Sequence, residues 1–75
     1  MTDTILLRKV INRSGISITF LAKKLGLSRE GFYKKLNGET EYKASEIFKL
    51  QKILHLDDRT RDKIFFGENG ELNSR

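Results

Sequence analysis

Seventy-five residues, 37% hydrophobic and 33% charged, suffice for one small domain and are too few for two. The absence of cysteine excludes a disulfide or a thiolate metal site, and one histidine leaves little for an imidazole site, so helical packing in a reducing compartment is expected. A formal charge of +5 and a pI near 9.8 call for a polyanionic partner, nucleic acid or an anionic membrane surface, without choosing between them.

Proline is absent and glycine recurs at intervals, the pattern of helices stopped by glycine. Leu6, Leu7, Val10 and Ile11 repeat at helical spacing, which predicts a first helix over 4–14 ended by Gly15. Ser17 is the expected N-cap of the second, because its hydroxyl can accept from an orphan backbone N–H. Behind it Ile18, Leu21, Ala22 and Leu25 form one apolar stripe before Gly26. Only Leu27 then separates Gly26 from Ser28, the next N-cap. A third helix over 28–37 carries Phe32 and Leu36 one turn apart, and Asn37-Gly38 closes it, both residues tolerating the left-handed conformation.

After a loop, Glu39 to Lys43, the fourth helix is expected from about Ala44 to His55, with Ile47, Leu50 and Leu54 inside and Phe48 and Ile53 at the edges. Asp57 and Asp58 favour the start of a fifth helix through its dipole, and Ile64, Phe65 and Phe66 form its apolar end before Gly67. The fold class is therefore all-α, a compact bundle of five short helices within 1–67. Residues 68–75 have no core to join and are expected to form a disordered tail.

The positive charge is unevenly placed. From Arg8 to Lys52 eleven bases meet four acids, and five of those bases, against the single acid Glu30, lie between Ser17 and Gly38. That segment reads capped helix, tight glycine turn, capped helix, Asn-Gly stop. Leu21 and Leu25 face inward, Ala22 is small where two helices approach, Leu27 plugs the corner and Phe32 anchors the next helix. This is a helix-turn-helix arrangement, in which the second helix enters the DNA major groove while the first lies across the backbone.

The text Phe20-Leu-Ala-Lys-Lys-Leu-Gly-Leu-Ser-Arg-Glu-Gly-Phe-Tyr-Lys-Lys-Leu-Asn-Gly38 resembles the lambda-repressor-like family, also called Cro or XRE type. The Leu-Ala pair, the turn glycine, the serine after it and the closing Asn-Gly stand at the family spacing, and the five-helix order extends the resemblance over about residues 4–66. Ile64-Phe65-Phe66-Gly67 is also similar to the ending of small phage and prophage regulators. The resemblance implies a sequence-specific regulator, a repressor by preference, of double-stranded DNA in a bacterial cytoplasm, associated with the nucleoid. It also implies a homodimer reading a palindromic operator. Two departures stand out: Ile18 replaces a common glutamine, and Lys35 replaces a large apolar residue, leaving Leu36 to fill the core.

Candidate roles follow from side-chain chemistry. On the third helix Phe32 and Leu36 mark the buried side. Glu30, Lys34 and Asn37 lie opposite, with Tyr33 on the shoulder. Arg29 is near the buried stripe by angle but sits in the first turn, from which a long side chain reaches past the helix end. Arg29 can donate two hydrogen bonds to guanine O6 and N7, and Lys34 can reach a base or a phosphate. Glu30 either accepts from cytosine N4 or pairs with Lys34. Gly31 is either tolerated or required for close approach, and Tyr33 either touches a thymine methyl or phosphate or is a solvated rim residue.

By resemblance Asn37 binds backbone phosphate, although its cap position alone accounts for it. The Ser17 and Thr19 hydroxyls and the free N–H groups at the start of the second helix can hold an anion. Lys23 is the expected phosphate contact on that helix, and Ser28 completes the set as the cap of the reading helix. Phe20 lies off the apolar stripe and either packs on a neighbouring helix or meets a partner.

Other chemistry finds little footing. His55 has no second ligand beside it, Asp57, Asp58 and Asp62 lack a glycine-bearing cation loop, and Ser14, Ser17, Ser28 and Ser45 lack a base. No phosphate-cradling glycine loop is present. No enzyme activity, cofactor, metal or small-molecule substrate is expected. No apolar run approaches the roughly twenty residues that span a bilayer, and the start lacks a signal-peptide layout. Phe65 and Phe66 are the expected dimer contacts, or else close the core. The alternative function is an interaction module of the same fold, antitoxin-like or an anti-repressor partner, that reads no bases.

Overall fold

The computed structural model describes residues 1–67, so the tail expected over 68–75 lies outside the described residues. Five α-helices follow in order: α1 Thr4–Ser14, α2 Ile18–Leu25, α3 Arg29–Leu36, α4 Ala44–Ile53 and α5 Asp58–Phe65, with no strand among the described residues.

Each short helix has its ends satisfied locally. Asp3, Ser17, Ser28 and Asp57 accept from the N–H groups of Leu6, Phe20, Gly31 and Thr60 at 2.8–3.1 Å, each contact replacing water at an orphan donor. Lys43 has no side-chain acceptor for this task. The carboxylate of Glu46 instead reaches back to the Lys43 N–H at 2.8 Å, securing the entry of α4.

Glycine at positive φ closes α2 and α3. Gly26 (φ 75°) lets the Leu27 N–H return to the Ala22 carbonyl at 2.9 Å, and Gly38 (φ 84°) lets the Glu39 N–H return to the Lys34 carbonyl at 2.8 Å. Asn37 itself stays right-handed (φ −90°), so Gly38 alone takes the left-handed position at that stop.

The fourth helix ends at Ile53, two residues earlier than the expected His55. His55 adopts φ 55°, and the Leu56 N–H bonds the Gln51 carbonyl at 2.9 Å across it. His55 thus fills the position that glycine holds elsewhere. Gln51 reinforces the corner by donating to the Leu56 carbonyl and to Asp58, and Arg61 donates to the other end of its amide.

The core is one cluster with Phe32, Leu7, Leu21, Leu50 and Ile64 fully enclosed, joined by Ile11, Ala22, Leu25, Leu36, Ile47, Leu54 and Phe65. Tyr42, from the loop Glu39 to Lys43, is also buried, edge-on to Phe32 and Phe65 at centroid distances of 6.0 and 5.5 Å. The Asp3 N–H donates to the Ile64 carbonyl at 2.6 Å, fastening the start of α1 to α5. α2 packs on α3 and α4, and α1 packs on α3 and α5. Of the two phenylalanines expected to make dimer contacts or else close the core, Phe65 closes the core and Phe66 is exposed. An enclosed ring has no surface left for a second molecule.

Candidate nucleic-acid interface

The two-helix unit α2–α3 is set by its caps and its turn. Ser17 opens α2, Gly26 and half-buried Leu27 make the corner, and Ser28 opens α3. Burying Phe32 and Leu36 against α1 and α2 leaves the opposite side of α3 in solvent. Glu30, Lys34 and Asn37 are exposed there, and Arg29 in the first turn and Tyr33 on the shoulder are exposed beside them. On α2, Ser17, Thr19 and Lys23 are exposed as well, and Ser28 is exposed at the corner. These nine predicted contacts lie on accessible surface of one two-helix unit, while the tenth, Gly31, is half-buried.

Within this face the Arg29 guanidinium lies 5.9 Å from the centre of the Tyr33 ring, one turn along α3. Stacking of this kind holds the fork of the arginine while its N–H groups remain available as donors. Glu30 makes no ion pair with Lys34 among the described residues. Gly31 donates to Ser28 at 2.9 Å, and a Cβ added at Gly31 would stand 3.2 Å from the same hydroxyl. Glycine at this position keeps the cap of α3 uncrowded, a local reason beyond mere tolerance.

Asn37 is held from behind. The Arg8 guanidinium of α1 donates to its Oδ1, and the same nitrogen approaches the Leu36 carbonyl at 3.4 Å. With its oxygen engaged, Asn37 presents its amide nitrogen as a donor. The local sequence around Arg8 carries no signal of this contact, because its partners lie twenty-eight and twenty-nine residues further along the chain.

A cleft of about 350 Å³ opens between α1, the start of α2 and α3, lined by Arg8, Ile11, Asn12, Ile16, Ser17, Ile18, Tyr33 and Leu36. It places the start of α2 beside Tyr33. Ile18 closes part of it with an apolar side chain, while the first N–H groups of α2 have no partner within the helix. Phe20 does not pack into the core. It remains 44% exposed, with the Lys24 ammonium 5.3 Å above its ring.

Lys35, at the position where an apolar residue was expected by resemblance, folds inward beside α4. Its Nζ donates to the Glu41 carbonyl at 2.8 Å and lies 3.3 Å from Glu46 Oε1, with both side chains largely enclosed. It also stands 5.8 Å from the Tyr42 ring centre. Leu36, as expected, fills the core. The Tyr42 hydroxyl is buried and has no hydrogen-bond partner among the described residues. Burial raises the Tyr42 phenol well above its usual range, the nearby Glu46 carboxylate adds to the rise, and Arg8 opposes it.

Among the described residues no cluster of three or more His, Cys, Asp or Glu side chains could hold a metal ion. No described helix is long and apolar enough to cross a membrane.

The family described as protein of unknown function DUF739 matches residues 4–68, and the chain belongs to it. No curated protein and no solved structure matches.

Proposed function

We propose that this protein is a sequence-specific double-stranded DNA-binding regulator of the lambda-repressor-like, Cro or XRE type, acting as a phage or prophage repressor in the bacterial cytoplasm. In this reading α2, the Gly26 turn and α3 are the helix-turn-helix, and α3 enters the major groove. The observation that carries it is the exposed side of α3, where Arg29, Glu30, Tyr33, Lys34 and Asn37 stand clear of the core beside the capped start of α2.

Arg29 reads guanine through its fork, steadied by Tyr33, and Lys34 contacts a base or a phosphate. Ser17, Thr19, Lys23 and Asn37 hold the backbone and fix register without reading sequence. Two copies pair so that their half-site centres fall about 34 Å apart, with exposed Phe66 at the contact. The second reading, an interaction module of the same fold, draws support from the exposed rings of Phe20 and Phe48.

Titration of a duplex pool at several salt concentrations separates the two. The DNA reading expects affinity to fall steeply and log-linearly with salt, the slope counting neutralised phosphates. Absence of duplex binding even at low salt refutes it and leaves the interaction module.

A further inference from the structure

The Lys35–Glu46 pair is the one place where opposite charges meet inside this bundle among the described residues, with side chains 12% and 6% exposed. A pair so enclosed is a poor device for stability, because removing both ions from water offsets much of their attraction. Its placement is more informative. Lys35 is the penultimate residue of α3, Glu46 lies in the first turn of α4, and the ammonium also holds the Glu41 carbonyl of the connecting loop. Glu46 Oε1 simultaneously accepts the Lys43 N–H at 2.8 Å.

One ammonium thus fixes the end of α3, the loop and the start of α4 to a common point. Directional contacts of this kind specify rotation about a helix axis, which apolar contacts do only loosely.

We infer that Lys35 and Glu46 are positioning residues that set the orientation of α3 against α4, and that they govern discrimination between DNA sequences more than stability. The inference rests on the proposed DNA reading, because α3 carries the base-facing side chains. Recognition needs its groups held to within about 0.5 Å and 10–20° of the productive geometry, so a small turn of α3 misplaces Arg29 and Lys34 together. Contacts to phosphate from α2 are left in place.

The test is the double variant Lys35→Met, Glu46→Gln in the full chain. It keeps the net charge and the acceptor for the Lys43 N–H while removing the ion pair. Two readouts are taken: the ratio of affinities for a selected duplex and a scrambled one at fixed salt, and the angle between α3 and α4 from residual dipolar couplings. The expected result is a ratio reduced about tenfold, the worth of roughly one good base contact, with scrambled-duplex affinity within about twofold of the parent. The α3–α4 angle changes beyond about 10°.

A parental angle overturns the inference whatever the DNA result, and so does a parental ratio. If the parent itself prefers no duplex, the DNA reading fails, and the angle still decides whether the pair positions α3. Should the double variant not fold, Lys35→Met alone carries the same readouts and criteria, since it removes the ammonium that ties α3 to the loop and to Glu46 while the bond from the Lys43 N–H to Glu46 is kept.

Discussion

Replacing Tyr42 by Phe is expected to stabilise this protein. The Tyr42 ring is enclosed at 7% exposure, edge-on to Phe32 and Phe65, and its hydroxyl has no partner among the described residues. Phenylalanine keeps both aromatic contacts and removes only the hydroxyl. A buried polar group left without a hydrogen bond costs about 1–3 kcal/mol, so even the low end predicts a gain of about 1 kcal/mol. For a domain of this size that is a rise in Tm of about 4–8 °C.

Tyr42→Phe and parent are compared by thermal unfolding followed by circular dichroism at pH 7 and again at pH 11. The phenol is raised in the folded state, by burial first and by Glu46 second. Its unfolded value is about 10. Its protonated form therefore supports the fold fully below pH 10, and that support declines as the medium becomes more alkaline, because only the unfolded chain then releases the proton. The Tm advantage of the variant should accordingly widen from pH 7 to pH 11. An unchanged or lower Tm at pH 7 would show that the hydroxyl is satisfied in solution. A constant gap across pH would refute the buried-phenol argument.

Gly26→Ala meets no atom within 4 Å, so its cost is backbone strain alone at φ 75°, about 1–2 kcal/mol by chemical denaturation. Arg29→Ala should cost about 1–3 kcal/mol of duplex binding and relax preference at one base position, whereas Lys23→Ala should weaken all sequences alike and reduce the salt slope by about 1. Equal, sequence-blind losses from both would remove Arg29 from base reading. Hydrogen bonds from Thr60 hold the Asp57 carboxyl below its usual range. Its support for α5 is present above that range and lost as pH falls through the lowered value. Asp57→Asn should therefore flatten the acid limb of the Tm profile as pH falls through and below the usual carboxylate range.

The helices were legible because their signals are local. Ser17 and Ser28 cap the helices they precede, Gly15, Gly26 and Gly38 take positive φ at the stops, and the stripe Leu21, Ala22, Leu25 is buried as its spacing requires. What stayed hidden depends on contacts distant in sequence. Tyr42 sits in a polar loop, and nothing nearby shows that Phe32 and Phe65 will enclose it. Phe65 and Phe66 are adjacent, and periodicity alone does not say which one the core takes.

His55 ends α4 early by adopting a left-handed conformation that sequence pattern assigns to glycine or asparagine. Of the candidate site, exposure of the α3 face follows from where Phe32 and Leu36 must go. The inward turn of Lys35 and the hold of Arg8 on Asn37 do not, since each needs the third dimension.

In the proposed function the outer side of α3 reads base edges. Selection of bound duplexes from a random pool, with sequencing of the recovered sites, tests it most directly. One enriched motif is expected, arranged as two inverted half-sites with centres about 10 base pairs apart, with loss of preference at one position in Arg29→Ala. Recovered sites with no enrichment over the starting pool would contradict it.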